Sequence, residues 1–251
     1  MALEQRQYVT RADARAAELD VGLRQHMLRV YNYMTSGLAL TGLVAYVISQ
    51  MAVVTNEAGQ VVGLTQLGAA LYTTPLAWVV MLSPLAFVLA LTFGIRRMSF
   101  GTLQIVFWLF ATAMGASLSS IFIQFTGESI ARVFFITAGT FAAMSLYGYT
   151  TKRDLAKFGS FLFMGLIGVI LAMIVNLFIG SSSLQFAISV IGVLVFTGLT
   201  AWDTQRIKEL YVEGDADETS GKKAVMGAVS LYLNFINLFI MLMHLLGAQR
   251  Q

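Results

Sequence analysis

The stretch FGSFLFMGLIGVILAMIVNLFIGSSSLQFAISVIGVLVFTGLTAW, from Phe158 to Trp202, runs for 45 residues without an aspartate, glutamate, lysine or arginine. A helix needs about 20 apolar residues to cross a hydrocarbon layer about 30 Å thick, so this run is long enough for two crossings. Its middle contains Gly-Ser-Ser-Ser at 180–183, a combination that favours a turn. The stretch therefore predicts two membrane-spanning helices joined by a tight turn. Asp203 follows it directly.

The rest of the chain repeats this apolar pattern. Of its 251 residues 57% are hydrophobic and 12% are charged, whereas soluble domains carry about 25% charged residues. Five further charge-free runs are each long enough for one span: Val30–Asn56, Ala58–Ile95, Met98–Gly127, Val133–Thr151 and Ala224–Gln249. The sequence therefore predicts an all-α polytopic membrane protein with seven transmembrane helices. The spans are predicted at about 31–53, 76–95, 101–123, 133–151, 159–179, 185–204 and 225–247.

The basic residues fall in alternate connections between these spans. Fourteen of the 16 lysines and arginines lie before the first span or after the second, fourth and sixth: Arg6, Arg11, Arg15, Arg24, Arg29, Arg96, Arg97, Lys152, Arg153, Lys157, Arg206, Lys208, Lys222 and Lys223. Such a bias is typical of the cytoplasmic side of a membrane. It predicts a cytoplasmic N-terminus and places Gln251 outside, and it explains the basic balance without nucleic acid as a partner.

Two regions follow from the same division. Residues 1–29 are predicted as a charged, helical cytoplasmic arm, and residues 30–251 as the transmembrane domain. Within that domain, 53–74 is an outside loop and 206–223 a flexible cytoplasmic loop, whose acidic residues lack the spacing of a calcium-binding EF-hand. The first 26 residues contain no apolar core of a signal peptide, so none is expected. The chain has no cysteine, which excludes disulfides and thiolate chemistry.

The seventh predicted span carries a polar face. Ser230, Asn234, Asn237 and His244 are spaced by four, three and seven residues, which places them on one side of a helix. Because unmet amide groups are costly in lipid, these side chains should line the bundle interior or a water-filled path. The alternative is that they only hold neighbouring helices together.

Asp203 lies at the cytoplasmic end of the sixth span and raises the question of what faces it. Adjacent antiparallel helices would bring its carboxylate near Asn234, whose amide can donate a hydrogen bond. The alternative is a carboxylate that extends to water or pairs with Arg206 on its own helix.

At these residues the chain becomes similar to a known family. FTGLTAWDTQRIK at 196–208 and GAVSLYLNFINLFIMLMHLLG at 227–247 resemble the last two spans of the Bax inhibitor-1 family, in its bacterial branch. Further matching segments are MLRVYNYMTSGLALTG at 27–42, FFITAGTFAAMSLYGYTTKRDL at 134–155 and VNLFIGSSSLQFAIS at 175–189. The resemblance covers nearly the whole chain.

The resemblance implies a seven-helix bundle whose last helix is central, located in a bacterial inner membrane with the C-terminus periplasmic. Members are associated with a pH-sensitive calcium leak and with stress responses, and some bacterial members bind a membrane protease. The partners it implies are therefore the lipid bilayer, calcium or other cations, and a membrane protease. No cofactor is expected.

The resemblance also implies an ion pathway. In the calcium-leak members, one aspartate late in the sixth span and another in the seventh form a pH-sensing pair near an arginine of the second span. Asp203 matches the first aspartate, Arg96 or Arg97 the arginine, and Asn237 joins the polar face. Asn234 stands where the second aspartate is expected. Since an asparagine cannot share a proton with Asp203, the paired-carboxylate switch is expected to be lost.

Enzyme functions are disfavoured, and no catalytic residue is assigned. An intramembrane aspartyl protease needs two buried carboxylates, and Asp203 has no second one opposite. A rhomboid-like protease would use the serine of GASL at 115–118 with His244, but its pattern requires a glycine where Leu118 stands. Gly115 and Ser119 are instead expected to mark close helix packing.

Two functions remain open from the sequence. Calcium prefers six to eight oxygen ligands, so the residues around Asp203 predict at most a weak calcium transit site there. The first function is a calcium-leak channel whose sensor pair is altered. The alternative is a non-conducting interaction protein that modulates a membrane protease or a stress response.

Overall fold

A computed structural model describes residues 2–56 and 61–250, with only the backbone for residues 2–20. The elements are α1 (Ala2–Ala52), β1 (Val53–Thr55), β2 (Val61–Leu64), α2 (Gln66–Thr73), α3 (Leu76–Gly94), α4 (Phe100–Gln124), α5 (Gly127–Thr150), α6 (Ala156–Ile179), α7 (Ser182–Glu209) and α8 (Asp217–Leu246). Seven stretches are helical and apolar enough to cross a membrane: Val21–Ala52 within α1, and helices α3 to α8. The all-α architecture with seven candidate spans is confirmed.

The long apolar run divides where the sequence predicts. Helix α6 ends at Ile179, and Gly180 follows with a φ of 65°, a left-handed conformation that glycine adopts without steric cost. Helix α7 then starts at Ser182, where the Ser181 side chain accepts a hydrogen bond from the backbone of Leu184 at 3.3 Å. The glycine closes one helix and the serine opens the next, so α6 and α7 form a tight helical hairpin.

Helix α8 is the centre of the bundle. In its most apolar window 72% of residues are buried, compared with 6–44% in the other six spans. It contacts α1, α3, α4, α5 and α7, while α6 packs against α7. The predicted central position of the last helix is confirmed.

Close packing around α8 depends on small and polar side chains. A β-carbon added at Gly115 of α4 would lie 2.7 Å from the carbonyl oxygen of Thr41 in α1, so only glycine permits this approach. Ser119, one helical turn later, is fully buried and shares a 2.7 Å hydrogen bond with Tyr72. From the central helix, the Tyr232 hydroxyl lies 2.6 Å from that of Thr41. The packing role predicted for Gly115 and Ser119 is confirmed.

The connections are more ordered than the sequence predicts. The segment 53–74, which the sequence predicts as an outside loop, contains the antiparallel pair β1–β2 and the short helix α2. The predicted loop 206–223 is largely helical, because α7 continues to Glu209 and α8 begins at Asp217, leaving 210–216 as the connection. The charged side chains of this segment are compatible with helix. Asp217 and Glu218 lie in the first turn of α8, where a negative charge interacts favourably with the positive end of the helix dipole.

Two salt bridges lie at this connection and in the first turns of α8. Lys222 pairs with Glu218 one turn away at 2.8 Å. Lys223 pairs with Asp215 at 2.6 Å and donates to the carbonyl of Leu210 at 2.9 Å. Residues 2–29 of the predicted arm continue into the first span as part of the single helix α1. Gln251, which the sequence places outside, lies beyond the described residues.

Candidate ion-pathway site

Helices α7 and α8 bring Asp203 and Asn234 together. The Asn234 side-chain nitrogen donates to Oδ2 of Asp203 at 2.8 Å. Asp203 is 6% exposed and Asn234 is 5% exposed, so the contact is inside the protein. A buried carboxylate needs such a donor, because an unpaired charge in this environment is costly. The contact between these two side chains is present as the sequence predicts.

Arg206 is the cation of this site. Its Nη2 lies 3.0 Å from Oδ1 of Asp203, and its side chain is 45% exposed. The guanidinium is stacked 4.9 Å above the Trp202 ring and donates to the Ser230 hydroxyl at 3.3 Å. The contact between Arg206 and Asp203 does not have the geometry of a hydrogen bond. Oδ1 of Asp203 therefore has no hydrogen-bond partner among the described residues. Asp203 is therefore both buried against α8 and paired on its own helix.

Arg96 and Arg97 lie elsewhere. Both are exposed in the turn between α3 and α4, and among the described residues no ion pair joins them to Asp203. Arg206 takes that position because it is one turn along the same helix, at the spacing that places side chains next to each other. The sensor role that the resemblance implies for Arg96 or Arg97 stays a prediction, and Arg206 of the sixth span forms the ion pair that is observed.

The other residues of the polar face on α8 have different partners. Ser230 joins the site through Arg206, as described above. Asn237 is half-buried and donates to the carbonyl of Leu233 on its own helix at 2.8 Å. His244 is exposed near the other end of α8, with its ring 6.4 Å from that of Phe125. Only Ser230 and Asn234 of this face thus contact the Asp203 site.

A chain of hydroxyl groups that the sequence did not indicate lies next to Asp203. Thr204 donates to the Thr200 carbonyl at 2.8 Å, and its oxygen is 3.0 Å from that of Ser145 on α5. Ser145 in turn is hydrogen-bonded to the Tyr31 hydroxyl of α1. Single hydroxyl residues on three distant spans give no spacing signal, so only the tertiary structure reveals the chain.

The donor set at Asp203 is small. Among the residues that the structure describes, no group of three or more histidine, cysteine, aspartate or glutamate side chains could hold a metal ion. Asp203 and Asn234 offer side-chain oxygens, but calcium takes six to eight. Chemically, the arrangement can hold a carboxylate closed against an amide and a guanidinium.

Known proteins resemble this chain over most of its length. A family model described as Inhibitor of apoptosis-promoting Bax1 matches residues 23–251. An uncharacterized protein of Rickettsia prowazekii is 47% identical over 231 residues, which cover 92% of each chain. The inner membrane protein YbhL of Escherichia coli K12 is 44% identical over 232 residues, covering 91% of this chain and 94% of that protein. The chain therefore belongs to the Bax inhibitor-1 family.

Proposed function

We propose that this protein is a cation-leak channel of the bacterial inner membrane, permeable to calcium, in which Asp203 forms the closed gate. The observation that carries the proposal is the buried contact between Asp203 and Asn234 of the central helix. The inner-membrane location is supported by the similarity to YbhL and by seven helices able to span a bilayer. The leak itself is proposed from the family resemblance.

The charges at the site support a closed state at rest. Asp203 is neutralised by Arg206 at 3.0 Å and held by Asn234 at 2.8 Å, so a cation approaching it competes with both. Arg206 is half exposed, and water screens an ion pair at such a position. Opening at this point requires α7 to separate from α8 at the Asn234–Asp203 hydrogen bond, whereas the Arg206 ion pair lies within α7.

The test is calcium flux into liposomes that contain the purified protein. Asp203→Asn keeps the size of the side chain but removes the negative charge that would attract a cation. We expect this variant to lose most of the calcium flux of the parent. Glu209→Gln is the matched control, because it removes an exposed carboxylate six residues later on the same helix, and its flux should equal that of the parent.

Two results would contradict the proposed channel function. Equal calcium flux in the parent and in Asp203→Asn would remove Asp203 from the pathway. An absence of flux in the parent, with a dye-leakage control confirming sealed vesicles, would contradict conduction altogether. Co-purification of a membrane protease with such a non-conducting protein would favour the alternative of an interaction protein.

A further inference from the structure

A long apolar groove separates α1 from α5 on the side of the bundle. Its volume is about 1010 Å³, at the upper end of the range for small-molecule pockets, about 300–1,000 Å³. Phe235 of the central helix and Phe141 of α5 are buried side chains at its base. Because both bordering helices are candidate membrane spans, the neighbouring medium along this groove is the lipid bilayer.

The groove is long enough for an acyl chain. Its lining on α1 runs from Arg24 to Leu43, which is about 29 Å of helix axis at about 1.5 Å per residue. The hydrocarbon layer of a bilayer is about 30 Å thick, so the groove is longer than one leaflet. A single lipid chain can therefore lie along it from the interface towards the bilayer centre.

One end of the groove is positively charged. Arg24 is the only charged residue among those that line it within the described part of the chain, and it is exposed at the start of the span. Tyr149, at the same end, has Lys208 behind it, with Nζ 3.0 Å from the Tyr149 carbonyl and 5.2 Å from its ring. Basic residues at a membrane interface attract anionic headgroups.

We propose that the groove between α1 and α5 binds one acyl chain of an anionic phospholipid, with the headgroup at Arg24. The apolar lining matches the chain and the basic end matches the phosphate, and no acidic side chain lining the described groove opposes that charge. Asp203, Asn234 and Arg206 do not line this groove, so the proposal holds whether or not the protein conducts ions.

Gly42 gives a direct way to fill the groove. It lines the groove on α1, and a β-carbon added there would meet no atom within 4 Å. A leucine at this position therefore starts from an unobstructed β-carbon, and its side chain takes up space at the groove lining. Gly139→Leu is the matched control, because Gly139 is equally unobstructed, lies on α5 and does not line the groove.

The charge is tested by a second pair of variants. Arg24→Gln removes the cation at the end of the groove. Arg29→Gln is its control, because Arg29 is an exposed arginine on the same helix that does not line the groove. Five residues along a helix with 3.6 residues per turn place the two side chains about 140° apart.

The experiment measures retained lipid by native mass spectrometry. Each protein is reconstituted in bilayers of equal parts phosphatidylglycerol and phosphatidylethanolamine with identical acyl chains, and is then extracted in mild detergent. We expect the parent to retain one phosphatidylglycerol per protomer and Gly42→Leu to retain none. Arg24→Gln should lose about fivefold in the preference for phosphatidylglycerol, since one basic residue contributes about 1 kcal/mol. Both controls should match the parent.

A phosphatidylglycerol with a photoreactive acyl chain provides an independent measurement on the parent alone. Labelled peptides should come from α1 and α5. The proposal is overturned if labelling is spread over all lipid-facing helices, or if the parent retains both lipids equally. Unchanged lipid retention in a folded Gly42→Leu protein, or a lipid-free dimer that shows a second copy in the groove, also overturns it.

Discussion

Replacing Asn234 with aspartate would put a second carboxylate against Asp203, where the present side chains are 2.8 Å apart. Two unit charges about 4 Å apart repel each other by about 4 kcal/mol at an effective dielectric constant of about 20. That energy corresponds to a change of about a thousandfold in the equilibrium constant for binding a proton. The pair therefore shares one proton over a pH range in which a single carboxyl group would be ionised. Arg206 reduces the repulsion only in part, because its side chain is 45% exposed.

The direction of the expected change in calcium flux depends on the proton that the two carboxylates share. Below about pH 6 the singly protonated pair resembles the Asp203–Asn234 contact of the parent, and the gate stays closed. As the pH rises towards about 8 the second carboxylate ionises, the two charges repel, and the contact between α7 and α8 opens. Calcium flux in Asn234→Asp should therefore rise several-fold over this range, whereas flux in the parent should change little.

The assay is liposome flux at matched internal and external pH, measured for the parent, Asn234→Asp and the double variant Asp203→Asn/Asn234→Asp. The double variant has a single carboxylate in the pair and should again show a flat pH profile. Glu209→Gln serves as the control for a lost carboxylate outside the site. Equally steep profiles in the parent and in Asn234→Asp would refute the reasoning, because no proton is shared in the parent.

Three further predictions concern topology and stability. Reporter fusions should place Gly214 in the cytoplasm and Gln251 on the opposite side, and a cytoplasmic Gln251 would contradict seven crossings. Asn234→Ala should lower the free energy of unfolding in detergent by about 2 kcal/mol, because a buried carboxylate loses its donor; unchanged stability would show that water replaces the amide. Gly115→Leu should cost about 1–3 kcal/mol by forcing α1 and α4 apart. Its control Gly139→Leu, with open space at the β-carbon, should not, and equal losses would contradict the close-packing argument.

The sequence predicts the spans well because charge-free length is a direct physical requirement for crossing lipid. It also predicts the Asp203–Asn234 contact, since a polar face on α8 and a carboxylate at the end of α7 have few other partners. The helix ends around 206–223 are not predicted, because a run of charged residues resembles a loop in the sequence. Pairs such as Lys222–Glu218, four residues apart, are instead compatible with a helix.

Both the joint role of Arg206 and the hydroxyl chain depend on packing between helices. The sequence offers Asn234 and Arg206 as alternative partners of Asp203, whereas the structure contains both contacts. The hydroxyl groups of Tyr31, Ser145 and Thr204 come from three helices. Their meeting depends on how α1, α5 and α7 pack together, and no periodicity within one span reports that arrangement.

The central position of α8 has a consequence for the biosynthesis of the protein. Both clusters of buried apolar side chains contain residues from α8, such as Tyr232 in one and Leu238 in the other. The ribosome delivers this helix after the other six spans have already been made. Until it arrives, the five spans that pack against it lack their common partner, and Asp203 has no amide donor. Insertion of α8 is thus the step at which the assembly becomes compact. Quality-control proteases and chaperones of the membrane would meet a loosely packed six-helix intermediate at every round of translation.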